Sequence, residues 1–309
     1  MLWAREEIVA NSINSAHKNS KYIKDVELPD DIVAYTEVAD CLCNRDMIIM
    51  ATPSHTMREV ATTIRPHLNG DEIVVSVAKG LEKKTFKTMT QVLGNVLHDV
   101  VIEDHIGLVS GPSHAEEVAI YKPTSVVAAA NSKTTAKAIQ ETFMTPMFRV
   151  YLNYDIIGVE LCAAIKNIMA IASGIVDGAE LGDNAKAALM TRGLHEMKRM
   201  GMHFGASQDT FSGLAGMGDL IVTCTSRHSR NRHVGYWIGQ GKTLNEIVEG
   251  MDMIAEGVNT TASVFQWAEE NSVEMPITQA VYRVLFEGMD PIDGLYNLMT
   301  RNPKEEIMI

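Results

Sequence analysis

Short apolar runs alternate with helical patterns along the first half of the chain. The runs are rich in valine, isoleucine and alanine, and their lengths suit buried strands. They cover residues 47–52, 72–78, 106–110, 124–130 and 148–152. Helices are predicted between them, for example over residues 85–98 and 132–143. This alternation is typical of βαβ units, so we predict an α/β domain with a largely parallel sheet.

The second half of the chain shows a different pattern. It opens with an apolar segment that is too long for a strand and predicts a buried helix. Asp183 can cap the next helix, and glycines and a proline bound the later ones. The predicted helices cover residues 155–174, 183–200, 261–271 and 278–286. We therefore predict two domains, an α/β domain over residues 1–153 and an all-α domain over residues 154–309.

Composition narrows the partners that this chain can bind. Of its 309 residues 46% are hydrophobic, which suffices for a sizeable core, and the formal net charge is −12. This charge disfavours nonspecific binding to nucleic acid or to an anionic membrane. An anionic substrate must therefore be captured by a local cluster of basic groups. No apolar run is expected to reach the roughly 18 residues needed to span a bilayer, and we find no signal peptide.

Four cysteines are too few and too scattered for a disulfide framework in a chain of this length. They are Cys41, Cys43, Cys162 and Cys224. We interpret them as buried or unreactive thiols, with a metal or redox role as the alternative. The expected compartment is the reducing cytoplasm.

Lys166 is the strongest candidate for chemistry because it lies inside an otherwise apolar helical segment. A lysine there cannot easily reach water, and loss of solvation lowers its pKa toward the range of a general base. The alternative is a lysine on the solvent-facing side of an amphipathic helix. The apolar neighbours on both sides leave little polar face, which favours a functional role.

Two further motifs follow in the helical half. Residues 213–220 contain three glycines followed by Asp219, which can orient a lysine or accept a substrate hydroxyl. A tight turn between helices with a capping aspartate explains this motif equally well. Residues 225–232 crowd hydroxyls, an amide and guanidinium groups at the predicted start of a helix, which suits phosphate. A basic, solvated loop is the alternative there.

Two loops of the first half directly follow predicted strands. One contains Lys79, and the other begins at Gly111 with the sequence GPSHAEE. Ligands bind at the carboxyl ends of parallel strands, so both loops are candidate binding segments. A plain turn between strand and helix would explain either loop as well.

Taken together, these motifs resemble the bacterial NAD(P)-dependent glycerol-3-phosphate dehydrogenases. The similarity runs from Trp3 to about Glu306, and its most specific stretches are SGPSHAEEV, DIIGVEL, AIKN, GLAGMGDLIVTCTS, HSRNR and EMPITQAVY. It implies a Rossmann-like domain followed by a helical substrate domain. It also implies reversible hydride transfer between NAD(P)H and dihydroxyacetone phosphate, giving sn-glycerol 3-phosphate for phospholipid synthesis.

The resemblance also implies roles for individual residues. Lys166 is implied as the general acid and base at the reacting oxygen. The implied substrate contacts are Lys79, Gly111, Ser113, Lys166, Asp219, Ser229, Arg230 and Asn231. The implied cofactor contacts are Arg5, Lys79, Ala115, Arg230, Ile254 and Glu256. Arg5 would meet the 2′-phosphate of NADPH, although the choice between NAD and NADP stays open. No metal is implied, and monomer and homodimer remain alternatives.

One part of the family pattern has no match in this sequence. The family begins with a strand, a G-x-G-S-W-G loop and a helix, whereas this sequence starts near the second strand. We therefore expect that segment to be missing ahead of Leu2 and cofactor binding to be impaired. Two other functions stay open, a noncatalytic remnant that binds a phosphorylated small molecule or a protein partner, and a dehydrogenase acting on a hydroxy acid. Intact Lys166, Asp219 and Arg230 argue against the remnant, and the SRNR sequence argues against the hydroxy acid.

Overall fold

The chain folds as two units, and each unit is built from two stretches of sequence. The structure, a computed structural model, describes residues 1–250, 255–303 and 305–306. The first unit comprises Met1–Ala78 and Lys87–Ile156, and the second comprises Lys79–Phe86 and Ile157–Ile309. The predicted division between residues 153 and 154 stays a prediction. The structure differs from it in grouping residues 79–86 with the second unit.

The first unit alternates strands and helices. Its strands are β1 (Leu2–Trp3), β2 (Lys18–Asn19), β3 (Ile23–Glu27), β4 (Ala34–Tyr35), β5 (Met47–Met50), β6 (Ile73–Ser76), β7 (Ile106–Ser110), β8 (Thr124–Ala130) and β9 (Phe148–Asn153). Its helices are α1 (Glu7–Ala16), α2 (Val38–Leu42), α3 (Met57–Ile64), α4 (Met89–Leu97), α5 (Ala115–Val118) and α6 (Lys133–Phe143). Short 3₁₀ turns lie at Ser54–Thr56, Arg65–His67 and Glu103–His105.

The main sheet has the strand order β5-β6-β7-β8-β9. Adjacent strands are parallel except for β7 and β8, which pair antiparallel from Gly107 opposite Ala130 to Ser110 opposite Val127. The connection between them contains only the short helix α5, and the chain returns in the opposite direction. The predicted largely parallel sheet is therefore confirmed, with one reversed strand pair. Two small strand pairs, β1 with β4 and β2 with β3, lie outside it.

The central strands of the main sheet, β6, β7 and β8, are buried on both faces. Val74 packs in a core cluster with residues of α3 and α4, whereas its neighbour Val75 packs in another with Ile139 of α6. Consecutive strand residues point to opposite faces, so a sheet covered on both sides needs apolar residues at every position. This requirement explains why the strands read as continuous apolar runs.

The second unit is helical in its described part. Its helices are α7 (Ile156–Gly178), α8 (Asp183–His203), α9 (Gln208–Ser212), α10 (Asp219–Thr225), α11 (Arg230–Gly239), α12 (Leu244–Glu249), α13 (Glu256–Glu270), α14 (Pro276–Phe286) and α15 (Pro291–Met299). A π-helical segment, Leu214–Gly218, leads directly into α10. Helix α8 is capped by Gly182 at φ 87°, not by Asp183. The positive φ at this position favours glycine, and Asp183 instead lies in the first turn, where a negative charge is favourable.

Helix α7 is the central helix of the second unit. It runs four residues beyond the predicted 155–174 and is long and apolar enough to cross a membrane by length and composition. The expectation that no apolar run reaches that length is therefore wrong. Within its most apolar window, however, 89% of the residues are buried inside the chain, as in the core helix of a folded domain.

Helices α7 and α11 touch main chain to main chain. A Cβ atom on Gly174 would lie 2.0 Å from the carbonyl oxygen of Arg232. One on Gly235 would lie 1.9 Å from the carbonyl oxygen of Ile171. No side chain fits at either distance, so glycine at both positions is a requirement of this close packing.

Candidate active site

Lys166 lies in the middle of α7 and is only 4% exposed. Its Nζ donates a hydrogen bond to the Thr223 hydroxyl at 2.8 Å and forms an ion pair with Oδ1 of Asp219. Both partners belong to α10. The alternative of a lysine on the solvent-facing side of the helix is wrong, because this side chain is buried and fully engaged.

Asp219 joins two lysines. Its Oδ2 accepts from Nζ of Lys79 at 2.9 Å while its Oδ1 pairs with Lys166, and the aspartate itself is 1% exposed. Lys79 belongs to the segment that the second unit takes from the first half of the chain. We call Lys79, Lys166 and Asp219 the ion cluster. With both lysines protonated it carries one more positive than negative charge, so it can accept additional negative charge.

Burial determines how the ion cluster titrates. Burial, together with the nearby charge of Lys79, lowers the pKa of Lys166 to about 7, against the opposing attraction of Asp219. Burial alone would raise the pKa of Asp219, but the two lysines outweigh it and hold that pKa below its usual value. The cluster therefore combines an ionised carboxylate with a lysine that can gain or lose a proton near neutral pH.

The first turn of α11 contains three of the predicted substrate contacts. Ser229 caps the helix, since its hydroxyl accepts from the backbone N–H of Arg232 at 3.2 Å. Ser229 is buried and Arg230 is exposed. A capped helix start with a guanidinium beside it has the donors that a phosphate group requires.

Asn231 connects three helices. Its Nδ2 donates to Oδ1 of Asn167 on α7 at 2.9 Å, and its Oδ1 accepts from the backbone N–H of Gly257 on α13 at 2.9 Å. Glu256, a predicted cofactor contact, is the half-buried first residue of α13. Ile254, another predicted cofactor contact, lies outside the described residues.

The remaining candidates belong to the first unit. Gly111 directly follows β7 at φ 147°, and a Cβ there would lie 2.9 Å from Cα of Val126, so only glycine fits. The Ser113 hydroxyl donates to the Gly111 carbonyl at 3.1 Å. Ala115 is exposed at the start of α5, and Arg5 is exposed after β1. Their roles as binding residues stay predictions.

Two residues of the site have no role in the sequence-based prediction. Thr223 receives the hydrogen bond from Lys166, and Asn167 holds Asn231. The available signals were spacing, because Thr223 follows Asp219 by one helical turn, and adjacency, because Asn167 follows Lys166. Neither signal is specific without the packing of α10 and α11 on α7.

The cysteines give no sign of a metal or redox site. All four are free; Cys162 and Cys224 are buried, and burial raises the pKa of the Cys224 thiol to about 12. Cys43 is exposed, so it is not a buried thiol. That it is unreactive stays a prediction. Among the residues that the structure describes, no group of three or more His, Cys, Asp or Glu side chains could hold a metal. That the reaction needs no metal also stays a prediction.

Sequence comparisons agree with this architecture. The profile of the NAD-dependent glycerol-3-phosphate dehydrogenase N-terminus matches residues 1–136, and that of the C-terminus matches residues 155–296. Glycerol-3-phosphate dehydrogenase (NAD(P)+) 2 of Salinibacter ruber is 48% identical over 305 residues, covering 99% of this chain and 88% of that protein. The Staphylococcus saprophyticus glycerol-3-phosphate dehydrogenase (NAD(P)+) is 47% identical over 309 residues, covering 99% and 92%.

The fold is similar to that of a solved structure. Glycerol-3-phosphate dehydrogenase from Coxiella burnetii superposes with a TM-score of 0.92 at 38% identity, covering 97% of this chain and 91% of that one. The predicted Rossmann-like domain followed by a helical domain is thereby confirmed.

The same comparisons bear on the N-terminus. The N-terminal profile matches from residue 1, and the chain spans 88% and 92% of the length of these two relatives. They give no support to the expectation that a strand and glycine loop are missing ahead of Leu2. Because both profiles match and the relatives are almost half identical throughout, the chain belongs to the NAD-dependent glycerol-3-phosphate dehydrogenase family.

Proposed function

We propose that this chain catalyses reversible hydride transfer between NAD(P)H and dihydroxyacetone phosphate, giving sn-glycerol 3-phosphate. Family membership supports the reaction, and the ion cluster is the observation that supports its location in this chain. Reduction of a ketone produces an alkoxide, which needs a proton donor and nearby positive charge. The ion cluster has both.

Lys166 is the proton donor in this proposal. Its Nζ gives a proton to the carbonyl oxygen during reduction and takes it back during oxidation. A lysine with a pKa of about 7 has both protonation states populated at neutral pH, so it can serve in both directions. Asp219 and Thr223 hold Nζ in one position, and Lys79 shares the Asp219 charge.

The start of α11 is the proposed phosphate site. Arg230 supplies a guanidinium that matches phosphate geometry, and the backbone N–H groups of a first helical turn add partial positive charge. Asn231 has both polar atoms engaged with α7 and α13, so its first role is to hold this helix start in place. Ser229 similarly caps the helix while keeping its hydroxyl proton available.

We propose that the first unit binds the nicotinamide dinucleotide. Strands β5, β6 and β7 run parallel and end in loops, as in sheets that bind dinucleotides, and the exposed Arg5 can meet an anionic group. The described residues that we propose as cofactor contacts are Arg5, Lys79, Ala115, Arg230 and Glu256. When bound, NAD(P)H supplies the hydride, and the protein residues supply position and the proton.

A cytoplasmic location is part of the proposal, and it is supported by the four free cysteines, which are typical of a reducing compartment. The proposed partners are the small-molecule substrate pair dihydroxyacetone phosphate and sn-glycerol 3-phosphate. A homodimer remains an alternative to a monomer.

The test is turnover by the purified chain, followed through nicotinamide absorbance. We expect oxidation of NADH or NADPH with dihydroxyacetone phosphate and none with pyruvate, which stands for the hydroxy-acid alternative. Lys166→Met should lower kcat by roughly two to four decades, because the positioned proton donor is lost. Lys137→Met, which removes an exposed lysine of α6, is the matched control and should leave kcat unchanged.

Two results would contradict the proposal. Equal turnover of pyruvate and dihydroxyacetone phosphate would favour the hydroxy-acid alternative. Binding of dihydroxyacetone phosphate without any turnover would favour the noncatalytic remnant.

A further inference from the structure

A second group of charges lies where α7, α8 and α11 meet. Asp177, in the last turn of α7, accepts from Nε of Arg232 at 2.7 Å and from its Nη2 at 2.5 Å. Lys186, in the first turn of α8, donates to both oxygens of the same carboxylate at 2.8 Å. The three side chains are 16 to 25% exposed, so water screens these pairs only in part.

Arg232 and its neighbour Asn231 contact α7 at two positions along that helix. Asn231 bonds to Asn167 while Arg232 bonds to Asp177, and these two α7 residues are roughly 15 Å apart at the rise of an α-helix. Between them, the Arg232 carbonyl oxygen lies against Gly174, where the main chains of the two helices touch. Sliding α11 along α7 in either direction must therefore break one of the two side-chain contacts.

The same helix α7 also contains Lys166, which directly precedes Asn167. The proton donor and the anchors of α11 thus share one rigid element. Because Arg230 and Ser229 open α11, the axial position of α11 on α7 sets the distance between the proposed phosphate site and Lys166. A shift of about 1 Å in such an arrangement is enough to weaken a reaction strongly.

We propose that Asp177 is a positioning residue, which through Arg232 fixes the start of α11 relative to Lys166. This inference rests on the proposed function, because it assumes that the start of α11 binds the substrate phosphate. Asp177 touches neither substrate nor cofactor in this role. Its effect is on the position of the proposed phosphate site, so loss of Asp177 should change mainly the KM for the phosphorylated substrate.

The experiment compares Asp177→Asn with the unaltered chain on dihydroxyacetone phosphate and on unphosphorylated dihydroxyacetone. We expect the KM for dihydroxyacetone phosphate to rise by about threefold to fivefold, the upper part of the range expected for a partly exposed ion pair. We expect kcat/KM for dihydroxyacetone to stay within about twofold, since that substrate has no phosphate to misplace. A general loss of folded protein would instead lower kcat for both substrates equally.

The sign of the effect separates positioning from simple electrostatics. Asp177→Asn removes a negative charge, so long-range attraction alone would lower the KM for an anionic substrate. Arg232→Met removes a positive charge and would raise that KM on the same basis. If the pair acts by positioning, both variants and the double variant should raise the KM by a similar factor.

Lys186→Gln is the matched control, because it removes a cation from the same carboxylate and leaves the Asp177–Arg232 pair in place. Its KM for dihydroxyacetone phosphate should stay within about twofold of the unaltered value. Opposite shifts of KM in Asp177→Asn and Arg232→Met would overturn the inference, as would an unchanged KM in both. A lack of any turnover by the unaltered chain would instead refute the proposed function.

Discussion

Glu196 should make the stability of the second unit depend on pH. It lies on α8, is 2% exposed and accepts three hydrogen bonds at the start of α14. Its Oε1 accepts from the backbone N–H of Ile277 at 2.5 Å, and its Oε2 accepts from the backbone N–H and the hydroxyl of Thr278, each at 3.1 Å. Burial raises the pKa of Glu196 to about 7, although these hydrogen bonds pull it the other way.

The size of the effect follows from the two pKa values. The pKa rises from 4.5 to about 7 on folding, and at about 1.4 kcal/mol for each unit the ionised form costs roughly 3 kcal/mol. The native state binds the proton more tightly than the unfolded chain does. The stabilisation from protonated Glu196 is therefore complete below pH 4.5 and is lost as the pH rises through about 7.

The perturbation is Glu196→Gln, which has nearly the same shape and no charge to titrate. Near pH 5 the protonated carboxyl group still has two oxygens that can accept from the N–H groups of Ile277 and Thr278, whereas an amide has one, so the variant should be less stable by about 1 to 3 kcal/mol. Between pH 5 and pH 8 the unaltered chain should then lose roughly 2 to 3 kcal/mol relative to the variant, so that the difference shrinks or disappears. Urea unfolding at several pH values measures both free energies.

A matched control is Glu249→Gln, which removes the same charge from an exposed position at the end of α12. Its unfolding free energy should follow that of the unaltered chain within about 0.5 kcal/mol at each pH. A constant difference between Glu196→Gln and the unaltered chain from pH 5 to pH 8 would refute the reasoning, because it would mean that Glu196 has no raised pKa.

Three further outcomes are expected. Arg230→Ala should raise the KM for dihydroxyacetone phosphate by roughly tenfold to a hundredfold and barely affect unphosphorylated dihydroxyacetone in steady-state kinetics; an equal loss would show that Arg230 does not bind phosphate. Asp219→Asn should lower the pKa of Lys166 below that of the unaltered chain, because the carboxylate that favours the charged lysine is gone. The fall of kcat/KM for reduction with rising pH should then begin at lower pH, and an unmoved pH profile would contradict this. Gly235→Ala should cost about 1 to 3 kcal/mol or more in urea unfolding, whereas Gly294→Ala, which meets only ordinary contacts on α15, should cost nothing.

Strand positions could be read from the sequence, but strand direction could not. Strands β7 and β8 were predicted at the residues where they occur, because a strand buried on both faces needs an unbroken apolar run. A buried strand has the same apolar run whether it pairs parallel or antiparallel. Nothing in the residues of β8 therefore marked it as antiparallel to β7. Direction depends on how the connection between two strands crosses the sheet, which is a property of the folded chain.

The site shows the same limit. Lys166 could be singled out because a charged side chain in an apolar helix is costly unless it is paired. Its partners could not be identified from the sequence. Thr223 also donates to the Asp219 carbonyl, an ordinary arrangement for threonine in a helix, and Lys79 lies 140 residues before Asp219. Whether the three glycines before Asp219 formed a turn was also undecided, and the structure has a π-helical segment there.

The place of residues 79–86 in the second unit has a consequence for synthesis on the ribosome. Lys79 is translated 140 residues before Asp219, so at about 5 to 20 residues per second it waits roughly 7 to 28 s for its partner. Much of the first unit, residues 87–156, is made during that interval. Residues 79–86 must therefore wait for their partners in the second unit while residues 87–156 are being made. Formation of the Lys79–Asp219 pair is a late step in the folding of the chain.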